Sequence, residues 1–447
     1  MENFAEKPER RYDIDWLRVI LFGLLIPFHV AIGVYWSTYG EGINPNVSDD
    51  PDDRKEVAEE GNDYTYDSVD PSSMFLHWMH QWRLAALFMI SGMGTAFAFK
   101  RRSWKTFLLE RLQRLLVPMF FGMWTVGFVG GIITGGVDLE GNSYVDTLIA
   151  FFVHVLFTSF LFWVPLFGKI IALGHLWFLW NLFLYSVMCI PIFHIVQKNS
   201  DGRLARLIQS AFTLKGGFGI FLLFPLILTL TELMFKPWFP GFIGIGYEWI
   251  WYLVFFISGY ICIVSRDLYY EFLSANRNLI TILTMVLTVA FVFIRLQQHE
   301  DGIPYIDGGW IENDILHNQM TILGCFIHSF HAWFWCLTVF AWGAHLLNKN
   351  SASLAYLNQG VYPFYIVHMP LTFAGLSIAK EFGFTGIPAV FLSCIFVTAG
   401  CWLIFEAVRR TVVTRYLFGI KNTKQKNSVV PQDVNQLGLV EVTRRLE

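Results

Sequence analysis

An arginine and a histidine lie eleven residues apart in the first long apolar run of the chain, at about 16–36. In an α-helix this spacing is close to three whole turns, so Arg18 and His29 are expected on one face, about 16 Å apart. Ionisable side chains inside an apolar helix are costly and indicate a functional site. Histidine is the commonest general base, and arginine stabilises developing negative charge. A snorkelling anchor at Arg18 and a packing histidine at His29 are the alternatives.

A second apolar run, at about 75–99, carries further ionisable groups. His80 and Arg83 are three residues apart and therefore share a helical face. Arg83 would lie about 12 Å below the outer edge, close to the depth of His29. A histidine and a cation facing one cavity suggest a base beside a group that binds an oxyanion or a carboxylate. The small pair Ser91-Gly92 follows and favours close packing of this helix on another.

Other polar residues complete the set of candidate site residues. Arg111 and Arg114 share a helical face before the third run and suit a phosphate-rich ligand, because guanidinium groups bind phosphates through paired hydrogen bonds. The alternative is that these two arginines only contribute to the positive charge that is typical of cytoplasmic loops. Glu232 is an internal acid near the end of an apolar run and is a candidate for substrate binding. The alternative is that its carboxylate simply reaches water. The remaining candidates for substrate binding are His175, Trp177, Asn181 and His368.

No metal centre and no disulfide framework are expected. His328 and His331 have a spacing that could serve a metal, but no carboxylate-rich pattern accompanies them. Cavity-lining or interfacial roles are the alternatives. All six cysteines fall inside apolar runs rather than in loops, which favours a packing role.

The elements that position these residues are transmembrane helices. Hydrophobic residues make up 55% of the chain and charged residues only 15%, against roughly 25% charged in soluble domains. No basic patch stands apart from the membrane pattern, so nucleic acid is not an expected partner. Apolar runs near the ~20 residues that cross a bilayer recur ten times, at about 16–36, 75–99, 115–136, 174–196, 216–235, 249–265, 279–297, 320–346, 360–380 and 387–409. The sequence predicts an all-α polytopic membrane protein with ten transmembrane helices.

Charge distribution orients these spans. Loops after the second, fourth and sixth runs are rich in lysine and arginine, whereas the loops on the opposite side are acidic. Basic loops mark the cytoplasmic face, so residues 1–15 and the tail 410–447, expected to be largely disordered, are predicted on that side of the cell membrane. An eleventh apolar stretch, 148–173, would reverse this pattern, and is interpreted as an interfacial or re-entrant segment between spans three and four. The membrane domain would cover 16–409, with an external acidic loop at 37–73.

Five motifs in this order resemble the acyltransferase-3 family of integral membrane acyltransferases, and within it the glucan biosynthesis protein C group. They extend over nearly the whole chain, from the first span to the ninth. The matching pieces are Asp15-Trp16-Leu17-Arg18 with His29, His80-Gln81-Trp82-Arg83 leading to Phe88-Met89-Ile90-Ser91-Gly92, Arg111-Leu112-Gln113-Arg114 before Pro118, His175-Leu176-Trp177-Phe178-Leu179, and Tyr362-Pro363-Phe364-Tyr365-Ile366-Val367-His368-Met369-Pro370.

The resemblance implies ten spans and transfer of an acyl group, for example acetyl or succinyl, from cytoplasmic acyl-CoA to a hydroxyl of an extracytoplasmic glycan or other envelope acceptor. Acyl-CoA would be a donor substrate rather than a tightly bound cofactor. By position, Arg18 and His29 would be the family's arginine–histidine pair, and Arg111 and Arg114 its cytoplasmic RxxR motif. His29 would then deprotonate the acceptor, with Arg83 stabilising the oxyanion or binding an acyl carboxylate.

Two other function classes are alternatives. A transporter could use His29, Arg83 and Glu232 as an intramembrane relay. Such proteins often show inverted repeats and paired broken helices, and no such symmetry is evident in the sequence. A sensor that has lost its chemistry is the other alternative, and the presence of both Arg18 and His29 argues against it.

Overall fold

A computed structural model describes residues 11–39, 69, 71–100, 102–133, 174–198, 202–213, 217–236, 247–300 and 319–420. Throughout these residues the fold is all-helical, as the sequence predicts. The proposed re-entrant segment 148–173 lies outside the described residues. Most of the acidic loop and the tail beyond 420 lie outside them as well.

Fifteen α-helices, numbered here in chain order, lie within the described residues. They are α1 (Asp13–Gly23), α2 (Leu25–Tyr39), α3 (Pro71–Phe99), α4 (Trp104–Arg111), α5 (Val117–Ile133), α6 (Trp177–Met188), α7 (Ile190–Lys198), α8 (Arg203–Thr213), α9 (Phe224–Phe235), α10 (Glu248–Val264), α11 (Arg266–Glu300), α12 (Gln319–Leu346), α13 (Ala352–Glu381), α14 (Gly386–Val408) and α15 (Val412–Leu417). Wider π-helical turns precede α5 at Leu112–Leu116 and α9 at Gly219–Leu223.

Where the structure describes them, the ten predicted apolar runs coincide with helix, but not every helix is long enough to cross a bilayer by itself. Among the described residues six helical segments are long and apolar enough: 13–35, 71–99, 266–298, 319–346, 352–381 and 386–408. The pair α6 and α7, bent by 48°, would make a seventh. The segments 219–235 and 248–264 are shorter apolar helices. A multi-span helical membrane protein is therefore confirmed, and ten crossings stay a prediction.

Several helix boundaries differ from those expected for local reasons. The first span is divided at Leu24 into α1 and α2, because Pro27 has no N–H to donate to the carbonyl four residues earlier. Helix α13 begins before its apolar run, since the Ser351 side chain accepts a hydrogen bond from the Ser353 N–H and caps the helix. The start of the predicted disordered tail contains α15, capped in the same way by Thr411.

Helix α3 lies at the centre of the bundle. In its most apolar stretch 78% of the residues are buried, against 22% in α14 and 28% in α11, which present their apolar surfaces outward. Gly92 allows α3 to touch α10, because a Cβ atom there would lie 1.9 Å from the Phe256 carbonyl oxygen. Gly259 of α10 meets the Met89 carbonyl oxygen of α3 equally closely. The close packing expected at Ser91-Gly92 is thus confirmed.

Candidate active site

Three histidines from distant parts of the sequence lie together. His29 is near the start of α2, His368 is in the middle of α13, and His175 immediately precedes α6. The ring centre of His368 is 5.1 Å from that of His29 and 5.2 Å from that of His175. We call these three residues the histidine cluster. The structure therefore joins three residues that the sequence had marked separately.

Backbone carbonyls select the tautomer of each of these histidines. The Nδ1 atom of His29 lies 2.9 Å from the carbonyl oxygen four residues earlier, and that of His368 lies 2.7 Å from the carbonyl three residues earlier. Because a carbonyl only accepts, each Nδ1 carries the hydrogen, and in the neutral ring Nε2 presents a lone pair. His175 has the opposite tautomer, because its Nε2 donates a hydrogen bond to the Ile366 carbonyl oxygen at 3.0 Å. The partly accessible His29 thus has the lone pair that a general base requires.

A buried cation lies beside the histidine cluster. Arg83 is only 2% exposed, and its guanidinium carbon lies 3.8 Å from the ring centre of Phe28. His80 stacks on the same ring at 5.6 Å. Arg83 is within electrostatic range of both His29 and His368. A cation held against an aromatic ring in this position can stabilise an oxyanion or bind a carboxylate.

Three arginines form a second group, which we call the arginine cluster. Arg111 donates a hydrogen bond from Nη2 to the Thr95 hydroxyl oxygen at 2.9 Å. Thr95 belongs to α3, and Arg18 reaches α3 as well, because a Cβ atom on Gly94 of that helix would lie 3.3 Å from the Arg18 Nη2 atom. Arg18 and Arg114 are both within electrostatic range of Arg111. The first-span arginine and the two arginines before the third span therefore converge.

The arginine cluster carries concentrated positive charge. Burial lowers the pKa of Arg111 to about 10, which still leaves it protonated at neutral pH. Asp15, 3.7 Å from Arg18, offsets part of the charge, and Tyr362 lies beneath Arg114 with 5.9 Å between the guanidinium carbon and the ring centre. Guanidinium groups grouped in this way suit a polyanion, and phosphates in particular.

The same helices carry both clusters. In the α1–α2 segment, Arg18 and His29 are eleven residues apart, which corresponds to about 16 Å. In α3, Arg83 and Thr95 are twelve residues apart, which corresponds to about 18 Å. In each pair, one residue lies at the histidine cluster and the other at the arginine cluster. The two helices therefore give similar distances between the clusters. A substrate that engages both clusters must extend through this distance.

Helix α6 runs from the histidine cluster towards the arginine cluster. It begins beside His175 and packs against the π-helical turn that contains Arg114. Trp177 is half-buried and lies 6.1 Å from both Phe88 and Tyr252, measured between ring centres. Asn181, one turn further along, is completely buried. Both predicted binding residues therefore lie along the interval between the two clusters.

Glu232 belongs to a different group of residues. Its carboxylate pairs with Lys236 at 2.8 Å and with His328 at 2.9 Å, and it accepts a hydrogen bond from Ser329 at 3.1 Å. The residue is 0% exposed, so the interpretation that it reaches water is wrong. The ring of Trp251 stacks on His328 at 5.0 Å. These partners are distinct from those of the histidine cluster.

Sequence reasoning missed two contacts that support the site. His331 accepts a hydrogen bond from the Trp335 indole at 3.0 Å, so its Nδ1 donates to the Gln81 side-chain oxygen at 2.6 Å, next to His80. His331 therefore does not share partners with His328. In addition, the Tyr365 hydroxyl donates to the His175 carbonyl. Tyr365 lies in the ninth-span motif, three residues before His368, so the i, i+3 spacing was the available signal.

The helices and the two polar clusters describe a multi-span membrane protein, and comparison with known families identifies its class. A family model described as an acyltransferase domain matches residues 11–406. The chain therefore belongs to the acyltransferase-3 family and is a membrane acyltransferase. This confirms the resemblance inferred from the five motifs and favours an enzyme over the transporter alternative.

Curated relatives match along nearly the full length. The glucans biosynthesis protein C of Salmonella paratyphi A and that of Salmonella agona are each 24% identical, over 94% of this chain and 97% of the relative. The protein of the same name from Salmonella enteritidis matches equally well. No solved structure matches the chain significantly.

Proposed function

We propose that this acyltransferase takes its acyl group from cytoplasmic acyl-CoA and transfers it to a hydroxyl of a glycan, or a similar envelope acceptor, on the opposite side of the cell membrane. The observation that carries the proposal is the separation of the arginine cluster from the histidine cluster along the same helices. The phosphates of the donor would lie against Arg18, Arg111 and Arg114. The acyl thioester would extend to the histidine cluster, where the acceptor enters from the other side.

The proposed reaction is a single acyl transfer. His29 Nε2 removes the proton of the acceptor hydroxyl as its oxygen attacks the thioester carbonyl, and a carbon–oxygen bond forms. Arg83 stabilises the negative charge on the former carbonyl oxygen. When this intermediate collapses, the carbon–sulfur bond breaks and the proton on His29 passes to the departing CoA sulfur. Products are the acylated acceptor and free CoA, and His29 returns to its neutral form.

The test is mass spectrometry of cell-envelope glycans from cells with the protein, without it, and with the His29→Ala variant. The proposal expects an acyl mass increment, such as acetyl or succinyl, that disappears on deletion and is not restored by the variant. In parallel, purified full-length protein should bind CoA. Identical glycan spectra from all three strains would refute the acceptor assignment, and absence of CoA binding would refute the donor assignment.

A further inference from the structure

Asn181 carries a fully buried side-chain amide that has no hydrogen-bond partner among the described residues. It is 0% exposed, and neither its Nδ2 nor its Oδ1 atom makes a hydrogen bond within the described part of the chain. Side-chain amides both donate and accept, and burying one without any hydrogen bond is unfavourable. The nearby buried Ser186 is different, because its hydroxyl donates to the Leu182 carbonyl at 2.7 Å. A buried group of this kind calls for a further hydrogen-bond partner, and a bound substrate can supply one.

The position of Asn181 along the bundle follows from its neighbours on the helix. Phe178 lies three residues before it and Tyr185 four residues after it, so all three share one face of α6. The rings of Phe178 and Tyr185 both pack on Phe88 of α3, at 4.7 and 5.5 Å between centres. Asn181 therefore faces α3 at the level of Phe88.

Phe88 lies between the two clusters. It is five residues from Arg83, beside the histidine cluster, and seven residues from Thr95, which binds Arg111. These intervals correspond to about 8 Å and 10 Å along α3. Asn181 is therefore a polar group in an aromatic environment, roughly midway between the arginine cluster and the histidine cluster.

The part of an acyl-CoA that would occupy this interval is the arm between its phosphates and its thioester. That arm is largely aliphatic but carries a hydroxyl group and two amides, so it needs an apolar lining with a polar partner for each amide. We propose that Asn181 binds one amide of the donor arm, with its Nδ2 donating a hydrogen bond to the amide carbonyl oxygen. This assignment rests on the proposed function, because it presupposes acyl-CoA as the donor.

The experiment compares two probes that differ only in the arm. Full-length protein in detergent or nanodiscs is titrated by calorimetry with CoA and with 3′-phospho-ADP, which is CoA without its arm. In Asn181→Leu, the Kd for CoA should rise about tenfold, the usual size for loss of a good hydrogen-bonded contact. The Kd for 3′-phospho-ADP should stay at the wild-type value. The melting temperature without ligand should not fall, because the substitution removes a buried amide that makes no hydrogen bond to the described residues.

Two matched variants complete the design. Ser186→Ala removes a buried polar group from the same helix and should leave both affinities unchanged. Arg111→Glu should weaken both probes, because the phosphates are common to them. Wild-type affinity of Asn181→Leu for CoA, or an equal loss for both probes, would overturn the Asn181 assignment and leave the donor assignment intact. Wild-type protein that binds neither probe would overturn both.

Discussion

His29 and His368 face each other from α2 and α13 with 5.1 Å between their ring centres, and both rings are anchored in the same manner. Each Nδ1 donates to a carbonyl of the preceding turn of its own helix. The two Nε2 lone pairs are both acceptors, so these atoms cannot hydrogen-bond to each other and require a donor from elsewhere. A hydroxyl of the acceptor would be such a donor. The arrangement suggests that His368 works together with His29.

Replacing His29 by alanine should reduce acyl transfer by about 10²–10⁴-fold, the usual contribution of a general base. The expected cause is loss of the Nε2 lone pair, while donor binding at the arginine cluster is preserved. Acylated glycan per mole of enzyme, measured by mass spectrometry, gives the rate. CoA affinity and melting temperature serve as controls for folding. A folded variant with full activity would refute the assignment of His29 as the base.

Replacing His368 by alanine tests whether it shares the task of His29. If both act on one hydroxyl, the double variant His29→Ala/His368→Ala should be no slower than His29→Ala alone, because residues that act as a unit are strongly non-additive. The acyl-transfer rates of the four proteins in this cycle provide the measurement. Independent, multiplying effects would show that His368 has a separate role.

Charge reversal at Arg111 should weaken CoA binding by about 10–100-fold, the range for losing a hydrogen bond to a charged group. Lys105→Glu is the matched control, since Lys105 is exposed on the same helix, α4, and the change in net charge is identical. Titration of both variants with CoA at constant ionic strength measures the effect. Equal weakening by the two substitutions would indicate a general positive field rather than a phosphate site.

The sequence could predict features that depend on one helix at a time. Arg18 and His29 were recognisable because both lie within a single apolar run, where helical spacing alone relates them. The apolar runs coincide with helices because a backbone in lipid must satisfy its hydrogen bonds internally, whatever its tertiary neighbours. The division at Leu24 was encoded locally by Pro27, although its effect on the first span was not anticipated.

Contacts between distant helices could not be predicted in this way. No periodicity relates His29 to His175 and His368, so only packing reveals that they converge. One of the two ion-pair partners of Glu232 could be predicted from the sequence, because Lys236 follows it by four residues. The other partner, His328, comes from α12 and could not. Asn181 could be singled out as polar, but the absence of a hydrogen bond from its amide to any described residue is a property of the folded protein.

Glu232→Gln should strongly destabilise the protein, because it leaves the Lys236 and His328 side chains without a buried carboxylate. Breaking a buried ion pair by removing one partner typically costs about 3–5 kcal/mol. Glu406→Gln is the comparison, since Glu406 pairs with Arg409 at 3.0 Å where both side chains are 36% exposed. Thermal unfolding of the two purified variants should show a large decrease for the first and little change for the second. Similar melting temperatures would mean that the Glu232 pair contributes little to stability.

Gly92→Ala should weaken the packing of α3 against α10 and thereby loosen the helix that carries Arg83 and Thr95. The added methyl group would lie 1.9 Å from the Phe256 carbonyl oxygen, so the two helices must move apart. Overpacking of this kind typically costs about 1–3 kcal/mol. Gly23→Ala is the control, because a Cβ atom there meets no atom within 4 Å. The melting temperature of Gly92→Ala should fall while that of Gly23→Ala is maintained, and a Gly92→Ala protein as stable as the wild type would contradict the close helix contact.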